Sequence, residues 1–398
     1  MNNLASTIRD AASILMTPFD FEPRTRVVWG EHAIDRLGEL TGQLSARRAL
    51  IVTDPGIVAA GHVERGLRSL RKADVDAHVF DGARENPTTV DVQRGVLVAH
   101  DYRPDLLIGL GGGSSLDCAK GVNFIFTGGG SMRDYWGVGK ARNEMLPMIA
   151  VPTTAGTGSE LQSFALISDA ETNVKMACGD RKASCRIAIL DPCLTLTQPA
   201  QVTALTGIDA LSHAVESYVT TKRNQISMLF SRESFRLIAG NLRRVLEDGD
   251  DLMARAAMQL GASYAGLAIE NSMLGASHAL ANPLTATFGI VHGQAVGLML
   301  PHVVRFNGQI INHEYQELLS TIANQPQSPQ ARRGADGLVE LINELVVAAG
   351  LEVQLRQLGV SRESLPKLAE GAAQQWTGSF NPRSVNKDDF LEIYEHAF

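Results

Sequence analysis

The sequence predicts an N-terminal α/β domain, a parallel sheet with flanking helices, followed by an all-helical C-terminal domain. Up to about Leu190, short apolar runs alternate with amphipathic ones, the pattern of a parallel sheet covered on both faces. From about Gln201, apolar residues recur at helical spacing and strand patterns stop. A chain of 398 residues suffices for two domains. We place them at 1–195 and 196–398, with the boundary just after Asp191-Pro192.

Each element of the first domain has its own signal in the sequence. Apolar runs of strand length are bounded by polar or turn-forming residues. They predict the strands Ala49–Thr53, Asp76–Phe80, Asp105–Gly109, Met148–Val151 and Ile187–Leu190. Helical spacing predicts helices over Val90–His100 and Ser115–Phe124 in this half, and over Phe235–Leu246 and Leu338–Ala349 in the second. Pro326 and Pro329 predict a surface loop over 324–334.

Composition excludes several classes of function. The net charge is −7 and no basic stripe is visible, which argues against nucleic acid and anionic membranes as partners. No apolar run reaches the length of a membrane span, and Met1–Leu4 does not resemble the start of a secretory signal. The four cysteines form no CxxC pair, which is typical of free thiols in a cytoplasmic protein.

A glycine-rich segment, Gly109–Asp117, directly follows a predicted strand and precedes a predicted helix. Glycines there let the backbone approach a pyrophosphate, and a helix N-terminus offers N–H groups and positive potential. The segment differs from the usual GxGxxG fingerprint. A purely structural glycine-rich turn is therefore the alternative interpretation.

Two further segments follow predicted strands. Asp54 comes after the first strand and has two interpretations: a carboxylate that binds the ribose hydroxyls of NAD and repels a 2′-phosphate, or the N-cap of a helix before Ile57. The segment Pro152–Glu160 offers small residues and hydroxyls at the end of another strand. Such residues are typical of a ligand crevice or of a polar loop.

Four residues have the spacing and chemistry of metal ligands. Asp209 and His213 are four positions apart, so a helix places them on one face. His278 and His292 complete a set of one carboxylate and three imidazoles, which suits Fe(II) or Zn(II). A metal together with a dinucleotide predicts redox chemistry at an oxygen atom.

These segments, in this order, resemble the iron-containing (group III) alcohol dehydrogenase family over almost the whole chain. The resemblance rests on the runs Val27–Gly30, Gly111–Asp117, Pro152–Glu160, Asp191-Pro192, Thr206–His213, Leu300–His302 and Asn381–Arg383. It implies a Rossmann-like N-terminal domain and a helical metal-binding domain, with the dehydroquinate synthase-like architecture and an interdomain cleft. It also implies an NAD-dependent alcohol dehydrogenase or aldehyde reductase, in which Fe2+ or Zn2+ polarises the oxygen and hydride passes to or from nicotinamide.

The same resemblance assigns the site residues. Asp209, His213, His278 and His292 fall on the catalytic metal positions. The cofactor positions are Asp54, Asn86, Gly111, Gly112, Gly113, Ser114, Asp117, Thr153, Thr154, Thr157 and Lys175. It also implies a cytoplasmic homodimer or larger homo-oligomer, with an N-terminal strand near Arg26–Trp29 as its contact, acting on a small alcohol or aldehyde.

One position departs from the family pattern. The family usually has a histidine four residues after the third ligand, near the substrate, and Asn282 stands there. Asparagine forms hydrogen bonds but does not titrate, so the route of the alcohol proton is left open. The alternatives are a metal-dependent lyase of the dehydroquinate synthase type, and a glycerol dehydrogenase or maleylacetate reductase relative. Tyr218 and Lys222 also match the YxxxK pair of short-chain dehydrogenases, although the helical second half argues against that class.

Overall fold

The computed structural model describes residues 16–172, 174–322 and 333–398. These residues form two compact units, Pro23–Pro199 and Ala200–Phe398, the second of which includes Met16–Glu22. The division lies close to the boundary expected after residue 195. The N-terminal residues Met1–Leu4 and most of the loop predicted over 324–334, up to residue 332, lie outside the described residues.

The unit Pro23–Pro199 contains two sheets and their flanking helices. Its strands are β1 (Arg26–Trp29), β2 (Arg48–Val52), β3 (Asp76–Phe80), β4 (Leu106–Gly111), β5 (Gly137–Val138), β6 (Met148–Pro152), β7 (Phe164–Ser168), β8 (Lys175–Gly179) and β9 (Ile187–Leu190). Its helices are α1 (Leu37–Gln43), α2 (Pro55–Ala59), α3 (His62–Lys72), α4 (Thr89–Tyr102) and α5 (Gly113–Gly128). The five strands and two helices that the sequence predicts here are all present.

The main sheet is six-stranded, with the order β1-β9-β6-β4-β2-β3, and every pair in it is parallel. Its apolar residues divide between two core clusters: Ala49 and Ile51 of β2 belong to one, and Leu50 and Val52 to the other. Both faces are therefore buried, which explains why the strands appear in the sequence as continuous apolar runs. The predicted parallel α/β sheet is confirmed.

A second sheet of three strands, in the order β5-β8-β7, was not predicted. Strands β7 and β8 form an antiparallel hairpin in which Phe164 pairs with Gly179 and Ser168 with Lys175. These strands are short and partly exposed, and Leu166 keeps 37% of its surface accessible. A strand that is only partly buried lacks the continuous apolar run of the central strands, so its pairing identifies it.

In the unit containing Ala200–Phe398, the regular secondary structure of the described residues consists of helices. Its helices are α6 (Ala200–Val219), α7 (Gln225–Glu247), α8 (Leu252–Glu270), α9 (Ala276–Phe288), α10 (His292–Ser320), α11 (Gly334–Ala348), α12 (Leu365–Ala373) and α13 (Lys387–Ala397). Helix α6 is buried from Gly207 to Val219, and α9, α10, α12 and α13 contribute to one core cluster. No helix in the described part of the chain combines the length and hydropathy of a membrane span.

Candidate active site

Three helices of the second unit bring the predicted metal ligands together. Asp209 and His213 lie one turn apart in the buried part of α6. His278 is in the first turn of α9, and His292 is the first residue of α10. Each of the last two ligands therefore lies at a helix start, and the bend between α9 and α10 turns at Gly289, which has a positive φ of 68°.

The three imidazoles converge on one oxygen of Asp209. Its Oδ1 lies 3.5 Å from Nε2 of His213, 3.7 Å from Nε2 of His278 and 3.8 Å from Nε2 of His292. The rings of His213 and His278 stack with their centroids 4.9 Å apart. Asp209, His213 and His278 are buried, whereas the side chain of His292 keeps 21% of its surface accessible. His292 is thus the most accessible of the four ligands.

The charges of this cluster shift the pKa values of its members. Burial raises the pKa of Asp209, but the neighbouring imidazoles outweigh it and hold that pKa well below its usual range. Burial lowers the pKa of His278, yet the carboxylates of Glu216 and Asp209 raise it to about 9. The cluster therefore has a strong affinity for positive charge, and protons and a metal cation compete for the same atoms.

A divalent cation fits this set of donors. Tetrahedral coordination at about 2.0–2.2 Å places neighbouring donors about 3.4 Å apart, and the separations of 3.5–3.8 Å are close to that value. Oδ1 of Asp209 and Nε2 of His278 are buried, and neither forms a hydrogen bond with a described residue. Leaving a buried polar atom unpaired costs about 1–3 kcal/mol. A cation between the four side chains satisfies both atoms.

In the first unit, the glycine-rich segment forms the turn from β4 into α5. Gly111 has a positive φ of 149°, and Gly112 is the N-cap of α5 without any side-chain cap. A Cβ at Gly113 would lie 2.5 Å from the Thr157 side chain, and one at Gly112 would lie 3.3 Å from Thr154. The absence of side chains at Gly112 and Gly113 lets Thr154 and Thr157 pack directly against this helix start, and pyrophosphate binding there stays a prediction.

The other predicted cofactor residues of this unit gather at the same end of the sheet. Asp54 caps α2, because its Oδ1 accepts a hydrogen bond of 3.1 Å from the Ile57 N–H. Its Oδ2 accepts a hydrogen bond of 3.1 Å from the Ser115 hydroxyl. The Asn86 N–H donates to the Ser114 hydroxyl at 3.2 Å. The N-cap interpretation of Asp54 is therefore confirmed, and ribose binding stays a prediction.

The loop between β6 and β7 carries the three predicted threonines. The Thr153 N–H donates to the Gly111 carbonyl at 3.0 Å, which fixes the loop beside the glycine turn. Thr154 and Thr157 are partly accessible beside Gly112 and Gly113, whereas Thr153 is buried. Lys175 opens β8, opposite Ser168. The structure thus places this loop where contact with a cofactor at the glycine turn is possible.

Asp117 has a different environment from the other predicted cofactor residues. It is buried, its Oδ1 accepts a hydrogen bond of 2.6 Å from the Ser159 hydroxyl, and its Oδ2 accepts one of 3.2 Å from the Leu166 N–H. Burial raises its pKa, while the charge of Lys120 opposes the shift. The two oxygens of Asp117 thus hold the end of the threonine loop and the middle of β7, and direct cofactor contact by Asp117 stays a prediction.

Two buried residues that sequence reasoning missed support these sites. Lys120 is fully buried and donates to the Ser159 hydroxyl and to the carbonyls of Ser159, Gln162 and Phe164 at 2.6–2.9 Å. Glu216 is 4% exposed and accepts a hydrogen bond from His278. The sequence did contain a signal for Glu216. It follows Asp209 by two helical turns, so a helix places this charged residue on the same face as a predicted ligand.

Other candidate residues have structural partners. The Tyr218 hydroxyl donates to Glu317 at 2.8 Å, and the Lys222 ammonium lies 4.6 Å from the centre of the Phe380 ring. Tyr218 and Lys222 are therefore engaged with different partners, which removes the short-chain dehydrogenase interpretation. The Asn282 side-chain amide donates to Gln375 at 2.9 Å.

Two family descriptions together match nearly the whole chain. Residues 23–192 match iron-containing alcohol dehydrogenase, and residues 203–398 match the C-terminal part of the Fe-containing alcohol dehydrogenase family. The chain belongs to the iron-containing alcohol dehydrogenase family. Family membership confirms the predicted class: an oxidoreductase that acts on CH–OH groups with NAD and a divalent metal.

Individual relatives match this chain over almost its full length. 1,3-Propanediol dehydrogenase of Citrobacter freundii is 34% identical over 382 residues, 96% of this chain and 99% of the relative. NAD-dependent methanol dehydrogenase of Bacillus methanolicus is 31% identical over 96% of this chain and 100% of its own. A crystal structure of 1,3-propanediol oxidoreductase has a TM-score of 0.90 at 33% identity and covers 96% and 100% of the two chains. The predicted fold class is confirmed.

Proposed function

We propose that this enzyme interconverts a small aliphatic alcohol and its aldehyde, using NAD and a metal ion held by Asp209, His213, His278 and His292. The convergence of three imidazole Nε2 atoms on Oδ1 of Asp209 carries the proposal. The named substrates of two similar proteins, 1,3-propanediol and methanol, support a small alcohol. Fe2+ and Zn2+ both suit one carboxylate and three imidazoles.

Residues of one unit would hold the metal, and residues of the other would bind the dinucleotide. When bound, the divalent cation lowers the pKa of an alcohol oxygen or polarises a carbonyl, and the nicotinamide exchanges hydride. Asp209 supplies the negative charge of the metal site, and three neutral imidazoles supply nitrogen donors. The backbone N–H groups at the start of α5 would hold the pyrophosphate, and Thr154 and Thr157 lie beside Gly112 and Gly113 at that helix start. Asn282 offers hydrogen bonds but no proton transfer.

An assay on metal-stripped and reloaded protein tests this function. The protein is treated with a chelator, reloaded with Fe(II) or Zn(II), and supplied with NADH and a panel of small aldehydes. We expect steady NADH oxidation that depends on the metal. A lyase of the dehydroquinate synthase type turns over without net NADH consumption, and a metal-free reductase is insensitive to stripping, so either of those outcomes would replace the proposal.

Asp54 provides a test of the cofactor assignment. Asp54→Asn keeps an oxygen for the N-cap of α2 but removes the charge that repels a 2′-phosphate and binds the ribose. A hydrogen bond to a charged group contributes about 1.5–3 kcal/mol, so we expect the ratio of kcat/KM for NADH over NADPH to fall by about 10- to 100-fold. Asp74→Asn, at an exposed position with φ of 54°, is the matched control. An unchanged ratio would leave Asp54 only its structural hydrogen bonds with Ile57 and Ser115.

We also propose a cytoplasmic homo-oligomer with β1 at its interface. Strand β1 is an edge of the six-stranded sheet, and Val27 and Trp29 on it are 41% and 50% exposed. An edge strand with exposed apolar side chains is a ready surface for pairing with a second copy. The four cysteines are free thiols, which fits a reducing compartment. Sedimentation velocity measures the assembly, and a monomer at micromolar concentration would refute it.

A further inference from the structure

Glu216 links the metal-ligand helix α6 to the first turn of α9. Its Oε2 lies 2.5 Å from Nδ1 of His278, and its Oε1 accepts a hydrogen bond of 2.6 Å from the Ser277 N–H. Glu216 is buried, and both of its oxygens are therefore occupied by donors from α9. The contact of Oε2 is with His278, the predicted metal ligand in the first turn of α9.

The start of α9 has no cap of its own and depends on these distant acceptors. Its N-cap is Gly275, which has no side chain to accept a hydrogen bond. Asn381 adds a longer contact, since its Oδ1 lies 3.4 Å from the Ala276 N–H, and it also pairs with Asn307. A Cβ at Gly275 would lie 3.1 Å from Glu216 and 3.2 Å from Asn381, so glycine makes room for both acceptors.

The chemistry of a carboxylate decides which nitrogen of His278 carries the proton. Oε1 of Glu216 accepts from the Ser277 N–H, and its Oε2 lies 2.5 Å from Nδ1 of His278. A carboxylate oxygen placed in this way accepts a hydrogen bond, so Nδ1 of His278 is the donor. Nε2 then faces Oδ1 of Asp209 at 3.7 Å and has no hydrogen bond among the described residues.

We propose that Glu216 is a positioning residue of the metal centre, which holds His278 with Nδ1 protonated and Nε2 directed at the cation. The inference rests on the proposed metal site. A carboxylate behind a ligating histidine fixes the orientation of the ring and raises its basicity. Within the described parts of the chain, the Glu216 side chain forms hydrogen bonds with Ser277 and with one predicted ligand, His278, so its influence on the metal passes through His278.

Glu216→Gln is the discriminating substitution, because it keeps the size of the side chain. An amide has one accepting oxygen and one donating NH2, whereas two N–H groups, from Ser277 and His278, face this side chain. One of the two must lose its acceptor. Where the NH2 group faces His278, Nδ1 becomes the acceptor and the ring proton moves to Nε2, which then cannot bind a metal.

Metal affinity is the first readout. We expect the Kd of the Glu216→Gln protein for Co2+ and Zn2+, measured by competition with a chelator, to rise by about 10- to 100-fold. We also expect the visible absorption of the Co2+ protein to change. Glu314→Gln is the matched control: Glu314 pairs with Arg223 at 2.9 Å with both side chains 15% exposed, in the same helical unit. This control is expected to lose some stability but to keep the parent Kd and spectrum.

Three results separate this inference from the function on which it rests. A folded Glu216→Gln protein with the parent Kd and Co2+ spectrum would overturn the role of Glu216 while leaving the metal site intact. An Asp209→Ala protein that binds metal as tightly as the parent would overturn the metal site itself. If Glu216→Gln does not fold, the His278 ring proton of the Zn2+-loaded parent is measured by NMR after 15N-histidine labelling. It is expected to exchange slowly, and exchange as fast as that of exposed His313 would refute the hydrogen bond.

Discussion

Replacing Asp209 with alanine is expected to abolish tight metal binding and to lower kcat/KM for aldehyde reduction by roughly 1000-fold or more. Oδ1 of Asp209 is the atom on which all three imidazoles converge, at 3.5–3.8 Å. It is also the only anionic donor of the set. A metal that polarises a carbonyl contributes several kcal/mol to transition-state stabilisation, and each 1.36 kcal/mol corresponds to about a tenfold change in rate.

The measurements for this variant are metal content after dialysis and kcat/KM with NADH and a short aldehyde. Asp336→Ala, at an exposed position in the first turn of α11, is the control and is expected to match the parent in both. NADH affinity should stay close to the parent value, because Asp54, Gly113 and the other predicted cofactor residues belong to the other unit. Retention of stoichiometric metal and parent activity in Asp209→Ala would exclude the proposed centre.

Replacing Lys120 with methionine is expected to lower the free energy of unfolding by about 3–5 kcal/mol, the usual cost of breaking a buried charged network. Lys120 is fully buried, and its ammonium group donates to the carbonyl oxygens of Ser159, Gln162 and Phe164. The Ser159 hydroxyl accepts from Lys120 and donates to Asp117. Methionine fits the space but leaves these oxygens and the buried Asp117 without the positive charge.

Urea unfolding followed by circular dichroism measures the loss. Lys182→Met is the matched control, because the ammonium group of the exposed Lys182 donates to the Ala141 carbonyl at 3.1 Å, and we expect its effect to stay within about 0.5 kcal/mol. The network anchors the loop that carries Thr153, Thr154 and Thr157. A rise in the KM for NADH should therefore accompany the loss of stability, and a loss under about 1 kcal/mol would show that the carbonyls find other donors.

Most of the fold could be predicted from the sequence because its signals are local. A parallel sheet covered on both faces needs continuous apolar strands, and β2, β4, β6 and β9 show them. The hairpin of β7 and β8 escaped prediction because buried and partly accessible residues mix along its strands, so their pairing with each other, and not a continuous apolar run, defines them.

The sequence was enough to predict which residues belong to the candidate site, but not the hydrogen bonds that support them. Asp209 and His213 share a helix face, which sequence spacing alone indicates. Asp54 was ambiguous, and the structure shows that it caps α2 through Ile57 and also accepts from Ser115. Asp117, expected at the cofactor, is buried with both oxygens engaged by Ser159 and Leu166.

The sequence by itself determined the two-part architecture, the glycine-rich turn into α5 and the four predicted metal ligands, because periodicity and residue chemistry are properties of neighbouring positions. Only the tertiary structure decided that Lys120 reaches the carbonyls of the Ser159–Phe164 segment and that Glu216 meets His278, 62 positions further along the chain. Those partners come from distant positions in the chain. The sequence around a buried charged residue does not indicate which distant atoms will pair with it.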